Sequence, residues 1–508
     1  MNNHFKIIIP LYNVEKYIKI CIRSVKAQTY DNFQCIILDD MSTDDSAAVI
    51  RKEIGNDDRF KLIVNTEKAY ALKNIYDGIN ISNPSAEDII LTLDGDDWLA
   101  SRDVLEKVNN VYNQSGCWLT YGSYAEYPSN RRGKFARQIP LSVINSNSFR
   151  NHEWCSSHMR TFKYHLWRQI KKEDLLDSEG KFYSMTWDLA FMFPMLEMAG
   201  HRSQYIQDIL YVYNVANPLN DHKIDNSYQI KLEREIRNKP SYEKLKTVYC
   251  HLKGGLANMM FQIAATTSIA KDNNMVASFP NLYEQLDYLN KEEKYNPKLN
   301  HAAEYAEIFG NLNVSHPLGN EPVITFPFHY EKMDLPNSDV IINGFFQSEK
   351  YFKKHKKEIF KIPPKIKDKI EQKYSQYLNM NCLSIHVRRG DYLNYPDHHP
   401  PLPVEYYEKA MNSLPETDFY LVFGDDIDWC KENFTGDKFI FIENEKDYIE
   451  LYLMSMCNNH IIANSSFSWW GAWLSDNIEK MVVAPKKWFG NKIKENSDDI
   501  IPEGWLKI

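Results

Sequence analysis

Short apolar runs alternate with amphipathic segments along the first hundred residues of the chain. Ile7–Ile9 is predicted to form a buried strand, and Ile18, Ile22 and Val25 follow at the spacing of one helix face. Cys35–Leu38 is a second apolar run of strand length. Strands that alternate with helices predict a mostly parallel sheet, whose ligand crevice lies beyond the carboxyl ends of the strands.

The same alternation continues to residue 94. Ser46–Ile54 has the pattern of a helix, and Lys61–Val64 and Ile89–Leu93 have the pattern of strands. Two of the predicted strands end in carboxylates, at Asp39-Asp40 and at Asp94. We therefore expect acidic side chains at the ligand-binding edge of an α/β domain.

The second half starts a new α/β pattern after a polar segment. A strand, a glycine turn and a helix are predicted within residues 247–264, and later strands lead into RRGD, GDD and NSSFSWW. The segment before them, about residues 220–245, is rich in charge, which is typical of a linker that is helical in part, with Pro240 as a break. We predict one domain at residues 1–245 and another at 246–508.

Composition excludes several classes of protein. Lys and Arg number 60 against 68 Asp and Glu in 508 residues, a net charge of −8 that does not favour a nucleic-acid partner. No apolar run approaches the ~20 residues that span a bilayer, and no signal peptide is recognisable, so we expect a cytoplasmic protein. The eight cysteines form no CxxC pair, which argues against a zinc site. The oligomeric state is not indicated.

The segment TLDGDDWL places Asp94 and Asp96 two residues apart after a predicted strand. Carboxylates from one turn are suitable ligands for a hard divalent cation, which neutralises the diphosphate of a nucleotide sugar. A solvated acidic turn is the alternative interpretation of this pattern alone.

The first 215 residues resemble the family-2 glycosyltransferases. The resemblance rests on IIIPLYNVEKYIKICIRSVKAQTYDNFQCIILDDMSTDDS followed by TLDGDDWL. It implies a GT-A fold with a Rossmann-like mixed sheet, and Mn²⁺ or Mg²⁺ held mainly by Asp96. It also implies contacts to the nucleotide sugar, a UDP-sugar in our interpretation, from Pro10, Tyr12, Asp39, Asp40 and Asp94.

The same resemblance implies a catalytic base. Asp188 in MTWDLAFMF lies where family members carry the carboxylate that deprotonates the acceptor hydroxyl, a role that suits a carboxylate within hydrogen-bond reach. The alternative for Asp188 is a helix N-cap. His158 and Arg160 resemble the acceptor-side segment and are weaker candidates. The Gln-x-x-Arg-Trp element of processive synthases is absent from the sequence, so we expect single additions.

A second constellation, LSIHVRRGDYL, follows another predicted strand. Arg388 and Arg389 offer bidentate hydrogen bonds and a permanent charge to a diphosphate without any metal. They also stabilise the charge that develops on a leaving group, which is a catalytic role. The alternative is a basic surface patch paired with Asp391.

Four ordered motifs make the second half resemble the family-11 α-1,2-fucosyltransferases. They are KGGLANMMFQIA, SIHVRRGDYL, YLVFGDDIDWCKENF and CNNHIIANSSFSWWGAWLS. The resemblance implies a GT-B-like fold of two lobes and metal-independent, inverting transfer from GDP-fucose. The nucleotide-sugar-binding residues that it implies are Gly254, Gly255, Asn258, His386, Asp391, Asp425, Asn464, Ser465, Ser466 and Phe467.

The chain departs from the family-11 pattern at two positions. Ala257 and Met259 stand where the family usually has glycine and glutamine, which bears on acceptor binding or turnover. The base of this domain is left open among His386, Asp391, Glu405 and transfer with little base assistance.

Together the two halves predict a bifunctional glycosyltransferase. The first domain would add a sugar, for which we favour galactose, to a glycan acceptor, and the second would add L-fucose to it in α-1,2 linkage. The alternative is a protein in which one half has lost catalysis and serves as a glycan-binding module. A nucleotide-sugar dehydrogenase is disfavoured because the sequence has no G-x-G-x-x-G turn after a strand.

Overall fold

The computed structural model describes residues 3–220, 223, 225–291, 305, 308–309 and 312–508. The chain divides into two compact units, Met1–Leu245 and Lys246–Ile508.

The first unit is a mixed α/β structure. Its strands are β1 (Phe5–Leu11), β2 (Phe33–Asp39), β3 (Phe60–Val64), β4 (Ile89–Thr92), β5 (Trp98–Leu99), β6 (Leu119–Tyr127), β7 (Arg131–Arg132), β8 (Arg160–Lys163) and β9 (Ser203–Asn214). Its α-helices are α1 (Ile18–Lys26), α2 (Ser46–Ile54), α3 (Tyr70–Ile81), α4 (Val104–Ser115), α5 (Leu141–Asn145), α6 (Tyr164–Trp167), α7 (Trp187–Ala199) and α8 (Asn226–Asn238). Short 3₁₀ helices lie at Phe149–Asn151, Lys172–Leu175 and Gly200–Arg202.

These strands form one nine-stranded sheet in the order β3-β2-β1-β4-β8-β6-β9-β5, with β7 paired to β6. Strands β1 to β4 pair in parallel, whereas β8 runs antiparallel to both β4 and β6. The sheet is therefore parallel only where the sequence alternates strand with helix, and the expectation of a mostly parallel sheet holds for that half. The carboxyl ends of β1, β2 and β4 lie at one edge.

Strand β1 is buried on both faces, which explains the apolar run from Ile7 to Leu11. Ile7 and Ile9 pack into the core that contains α1, whereas Ile8 packs with Leu38 into the core that contains α3. A Cβ at Gly78 would lie 2.7 Å from methyl groups of both Ile8 and Leu38, so glycine lets α3 approach the sheet closely.

Helix α8 lies in the polar segment that the sequence suggests as a linker. Asp225 caps its N-terminus, and Leu232 and Ile236 are buried in the core of the first unit. Arg237 Nη1 donates to the carbonyl oxygen of Arg150 at 2.7 Å. Residues 226–238 thus form a packed element of the first unit.

The second unit contains two parallel sheets. Its strands are β10 (Thr247–Cys250), β11 (Val276–Ser278), β12 (Val323–Thr325), β13 (Val340–Asn343), β14 (Cys382–Val387), β15 (Phe419–Gly424), β16 (Phe439–Phe441), β17 (Asn459–Ile461), β18 (Val482–Ala484) and β19 (Leu506–Lys507). One sheet has the order β11-β10-β13-β12 and the other β16-β15-β14-β17-β18-β19.

Helices surround both sheets. They are α9 (Leu256–Asp272), α10 (Leu282–Lys291), α11 (Pro364–Leu378), α12 (Val404–Asn412), α13 (Ile427–Asn433), α14 (Asp447–Ser455) and α15 (Ser466–Leu474), with 3₁₀ helices at Glu349–Tyr351, Lys353–Glu358 and Asp391–Asn394. The tryptophans of α15 belong to the core: Trp469 and Trp470 are fully buried, and Trp470 Nε1 donates to the Ala257 carbonyl at 3.0 Å.

Both units are mixed α/β structures, which confirms the predicted fold class at that level. Among the described residues, every helix is too short or too polar to cross a membrane.

Candidate active sites

A cavity of about 640 Å³ opens at the carboxyl edge of the sheet in the first unit. The sequence-predicted residues that border it are Pro10, Tyr12, Asp40, Asp94, Asp96, His158, Arg160 and Asp188. Asp39 lies outside this lining; it is 1% exposed, and its Oδ1 accepts a hydrogen bond from the Ser42 N–H at 2.8 Å. Of the two neighbouring aspartates, only Asp40 reaches the cavity.

Asp40 shapes the loop that covers one side of this cavity. Its carboxylate accepts hydrogen bonds from the backbone N–H groups of Ala69 (2.7 Å) and Tyr70 (2.9 Å), and Tyr70 has a φ of 61°. Burial acts to raise the pKa of Asp40, but hydrogen bonds from Ala69 and neighbouring amides outweigh it and hold the pKa below its ordinary value. Lys68 Nζ lies 2.9 Å from the ring centroid of Tyr12. An aromatic ring and a cationic side chain therefore lie in contact at the Asp40 side of the cavity.

Three aspartates after β4 have different surroundings. Asp97 is fully buried and accepts hydrogen bonds from Tyr211 Oη and the Asn214 N–H, both at 2.7 Å. Asp96 borders the cavity, where Asn217 Nδ2 donates to its Oδ2 at 2.6 Å. Asp97 is a supporting residue, whereas Asp96 faces the space that a ligand would fill.

The carboxyl groups influence each other's ionisation. Burial, with the nearby Asp94 charge, raises the pKa of Asp96 to about 6. Burial also acts to raise the pKa of Asp94, but a hydrogen bond from His158 and the Arg160 charge bring it below its ordinary value. Burial and the other two carboxylates raise the pKa of Asp97 well above the normal range.

A hard divalent cation fits this donor set. One ligand atom each from Asp94, Asp97 and His158 lies within 4.8 Å of the others, and Asp96 adds a further oxygen on the cavity wall. Because Asp97 already accepts two hydrogen bonds away from the cavity, Asp94 and Asp96 are the better placed ligands. A cation would also relieve the repulsion that raises the pKa of Asp96.

Asp188 and Arg160 form an ion pair on the cavity wall, and Arg160 Nη2 also lies 3.8 Å from Asp94 Oδ2. Asp188 lies in the first turn of α7, whose N-cap is Thr186, so Asp188 is not the capping residue. Arg160 is 1% exposed, its Nη1 lies 3.1 Å from Asp188 Oδ2, and its guanidinium carbon lies 5.0 Å from the ring centroid of Trp187. The arginine therefore fixes the direction of the Asp188 carboxylate.

The sequence did not lead us to predict several residues of the cavity wall. Asn217, Asn220, Tyr228 and Gln229 border it, and the last two lie on α8. Asn220, Tyr228 and Gln229 were missed because residues 220–245 were interpreted as a linker. The i, i+4 pair Leu232 and Ile236 after a capping aspartate was the signal for a packed helix.

The second unit has its own cavity of about 610 Å³, bordered by the carboxyl ends of strands from both of its sheets. The sequence-predicted residues on its wall are Gly255, Asn258, His386, Arg388, Asp391, Asp425, Asn464, Ser465, Ser466 and Phe467. Gly254 and Arg389 lie outside this lining.

Arg388 and Arg389 point in different directions. Arg388 borders the cavity, 2.7 Å from Asp391 and 2.9 Å from Asp425. Arg389 lies 3.1 Å from Asp426, with its guanidinium carbon 4.4 Å from the ring centroid of Trp429. Only one of the two guanidinium groups therefore faces this cavity.

The glycine turn after β10 is held by side-chain amides. Gly254 has a φ of 82°, and a Cβ there would lie 2.8 Å from Asn258 Nδ2, so this position favours glycine. Gln262 accepts from the Lys253 N–H at 3.0 Å and donates to its carbonyl at 2.9 Å. Gln347 Nε2 donates to Asn258 Oδ1 at 2.8 Å on the cavity wall. The turn is fixed before any ligand arrives.

The N-terminus of α15 adds positive potential to the same cavity. Ser465 is its N-cap, Oγ accepting from the Phe467 N–H at 3.4 Å, and Ser466 begins the helix. Helix N-termini attract anions because their first N–H groups have no partner within the helix.

Other residues of the second cavity were missed from the sequence. Glu450 on α14 is 4% exposed and borders the cavity, as do Phe328, Phe345 and Phe489. Met259, by contrast, is fully buried in the core. Glu405 is exposed and lies outside the lining, which does not support it as a base.

Comparison with family models identifies the class of protein that carries these two cavities. It is a glycosyltransferase with two domains of that class, because the model of glycosyl transferase family 2 matches residues 6–173 and that of glycosyl transferase family 11 matches residues 212–508. The chain belongs to glycosyl transferase family 11, whose model covers more than half of it. The resemblance to both families predicted from the sequence is confirmed.

Individual relatives match parts of the chain. The O-antigen biosynthesis glycosyltransferase WbnK of Escherichia coli is 38% identical over 140 residues, 26% of this chain and 45% of that protein. The alpha-1,2-colitosyltransferase of Escherichia coli is 38% identical over 178 residues, 32% of this chain and 61% of that protein. The chain thus spans about half the length of the curated relatives it matches.

Solved structures are only distantly similar. The crystal structure of TarS 1–349 from S. aureus matches 59% of this chain and 87% of that chain with 16% identity and a TM-score of 0.34. A likeness at this level supports no functional argument.

Proposed function

We propose that the protein is a bifunctional glycosyltransferase. Residues 1–245, a GT-A-like domain, transfer a hexose, for which we favour galactose, from a UDP-sugar to a glycan acceptor. Residues 246–508, a GT-B-like domain with two lobes, then transfer L-fucose from GDP-fucose to that hexose in α-1,2 linkage. The observation that carries the proposal is that each unit has its own cavity with a different group suited to a diphosphate: Asp94 and Asp96, which can share a cation, border the first, and Arg388 with the N-terminus of α15 borders the second.

In the first domain, Asp96 and Asp94 would hold Mn²⁺ or Mg²⁺. When bound, the cation supplies positive charge that neutralises the diphosphate of the donor. Asp188, held by Arg160, accepts the proton of the acceptor hydroxyl while the hydroxyl oxygen bonds to the anomeric carbon, the bond from that carbon to the phosphate oxygen breaks, and UDP leaves with the electron pair. Tyr12 and the loop ordered by Asp40 border the space for the nucleoside.

In the second domain, Arg388 and the α15 N-terminus would hold the GDP diphosphate without metal. The acceptor oxygen bonds to the anomeric carbon of fucose and gives up its proton to His386, Asp391 or water, while the bond from that carbon to the phosphate oxygen breaks and GDP leaves with the electron pair. Arg388 and the N-terminus of α15 stabilise the negative charge that develops on the leaving phosphate oxygen. The buried carboxylate of Glu450 suits guanine, whose edge presents adjacent N–H donors.

A donor screen on the full chain tests both assignments. The panel contains UDP-galactose, UDP-glucose, UDP-N-acetylglucosamine, GDP-fucose and an activated colitose, the last because one relative is named as a colitosyltransferase. Nucleotide release is measured with each donor, with and without EDTA. We expect release from one UDP-sugar that EDTA abolishes and release from GDP-fucose that EDTA leaves intact.

The outcome also tests the alternative in which one half is inactive. Suppose that the wild type consumes only one class of donor and that only one of the two variants, D96N or R388A, abolishes this consumption. The half that contains the other substitution is then not a transferase. Release from no panel member would contradict the proposed donors.

A further inference from the structure

The side-chain carbonyl of Asn464 is a buried acceptor at the edge of the second cavity. Asn464 follows β17, is 1% exposed and borders the cavity. Its Nδ2 donates to the carbonyl oxygens of Pro400 and Trp488, both at 3.1 Å. Because both amide hydrogens are used in this way, the orientation of the amide is determined, and Oδ1 must face elsewhere. Oδ1 has no hydrogen-bond partner among the described residues.

The chemistry of this atom restricts what can pair with it. A buried carbonyl oxygen that accepts no hydrogen bond is unfavourable. A ligand that supplies an O–H or N–H would therefore gain affinity from a hydrogen bond to this atom. The diphosphate of a nucleotide sugar is fully ionised or nearly so at neutral pH and offers acceptors only. A sugar hydroxyl, which can donate, is a complementary group.

His399 provides a second polar atom beside the first. It precedes Pro400, whose carbonyl holds the Asn464 amide, and it also borders the cavity. Its ring stacks on Tyr392 with centroids 4.9 Å apart and meets the edge of Phe489 at 5.7 Å. Nδ1 is buried and has no hydrogen-bond partner in the described part of the chain. Burial lowers the pKa of His399, which favours the neutral ring, and Nδ1 of a neutral imidazole either accepts or donates one hydrogen bond.

We propose that Asn464 Oδ1 and His399 Nδ1 form a subsite for the hydroxyl groups of a neutral pyranose. This subsite rests on the proposed function of the second domain and refines the sequence-based expectation that Asn464 contacts the nucleotide. Phe489, which borders the same cavity, offers an apolar surface that suits one side of a sugar ring. The pyranose is either the fucosyl group of the donor or the terminal galactose of the acceptor, which share this chemistry.

The test uses the full chain and the variants N464A and H399F. The second keeps a ring that can stack on Tyr392 but removes both nitrogens. The matched control is N459A, since Asn459 is also a buried asparagine, its Oδ1 accepts from the Met481 N–H at 2.8 Å, and it lies outside the cavity lining. For each protein, GDP affinity is measured by calorimetry, and the KM values for GDP-fucose and for lactose are measured separately.

We expect N464A and H399F to bind GDP within about twofold of the wild type while one sugar KM rises about tenfold, the effect of losing one hydrogen bond. A rise in the GDP-fucose KM assigns the subsite to fucose, and a rise in the lactose KM assigns it to the acceptor. Equal losses of GDP and sugar binding, or unchanged KM values, would overturn the proposal. The N459A control should lower the melting temperature without raising one sugar KM selectively. If N464A does not fold, the KM values and GDP affinity of H399F test the proposal.

A binding measurement separates this inference from the proposed function. Saturation-transfer NMR with L-fucose and with methyl β-galactoside is recorded on the GDP complex of each protein. If the wild type transfers no fucose to lactose, the proposed reaction is wrong, yet a sugar signal that N464A and H399F lose would still support the subsite. No sugar signal in the wild type would refute it.

Discussion

Replacing the two neighbouring arginines of the second domain should have unequal effects. Arg388 borders the cavity, whereas Arg389 is directed at Asp426 and Trp429. The R388A variant loses charge-assisted hydrogen bonds to the diphosphate, and it removes the ion-pair partner of Asp391 and Asp425 beside an anionic ligand. R389A loses one surface ion pair and one cation–π contact.

The magnitudes follow from these surroundings. A hydrogen bond to a charged group is worth about 1.5–3 kcal/mol, and the Arg388 side chain is 28% exposed, so water replaces part of what is lost. A net loss of about 1.5–3 kcal/mol corresponds to a tenfold to roughly hundredfold fall in GDP affinity. For R389A, a partly exposed pair contributes about 0–1 kcal/mol, so GDP affinity should change less than about fivefold.

Calorimetric titration with GDP and with guanosine measures this difference directly. Guanosine has no diphosphate, so R388A should bind guanosine as the wild type does while binding GDP much more weakly. GDP-fucose turnover should fall in parallel with GDP affinity. If R389A weakens GDP binding as much as R388A, or if R388A weakens GDP and guanosine equally, the assignment of Arg388 to the diphosphate is wrong.

Three further predictions concern the first domain. D96N should abolish hexose transfer and leave fucose transfer unchanged, and full hexose transfer in excess EDTA would contradict the cation assignment. D188N should retain UDP binding while turnover falls by roughly 10²- to 10⁴-fold, because an amide cannot accept the proton; unchanged turnover would remove Asp188 from the reaction. I236A should destabilise the first unit by about 2–5 kcal/mol in denaturant unfolding, since Ile236 is 1% exposed, whereas I230A on the exposed face of the same helix should change it by less than about 0.5 kcal/mol.

The order of the two transfers is also testable. If the first domain adds the sugar that the second fucosylates, fucose should appear on the acceptor only after UDP-sugar has been supplied, as followed by mass spectrometry. Efficient fucosylation of the starting acceptor, with hexose transfer afterwards, would contradict the order.

The strands and their acidic ends were readable from local sequence. Ile7–Ile9, Cys35–Leu38 and Ile89–Leu93 are apolar runs of strand length, and they are found in β1, β2 and β4. Parallel strands bring their carboxyl ends to one edge, so Asp40 and Asp94 were expected near each other. Family resemblance could be read equally well, because it depends on ordered motifs and not on side-chain directions.

Residues that are remote in sequence decided the remaining features. Asp39 and Asp40, and likewise Arg388 and Arg389, are neighbours in sequence, yet one of each pair reaches a cavity and the other does not. The direction of each side chain depends on its partners. Asp40 is held by backbone N–H groups 29 and 30 residues away, and Arg389 by a carboxylate 37 residues away.

Helix α8 and Asn464 also show which features local sequence predicts and which depend on tertiary contacts. The sequence by itself determined that residues 226–238 are mostly polar with three aliphatic residues, Ile230, Leu232 and Ile236, a pattern that is compatible with a linker or with a packed helix. Only the tertiary structure decided for the packed helix, because burial of Leu232 and Ile236 requires a core formed elsewhere in the chain. Asn464 could be recognised within its motif, but its amide is oriented by carbonyl groups of residues 400 and 488. Local sequence sets the period of apolar positions and the chemistry of each side chain, whereas contacts between distant segments set where that chemistry points.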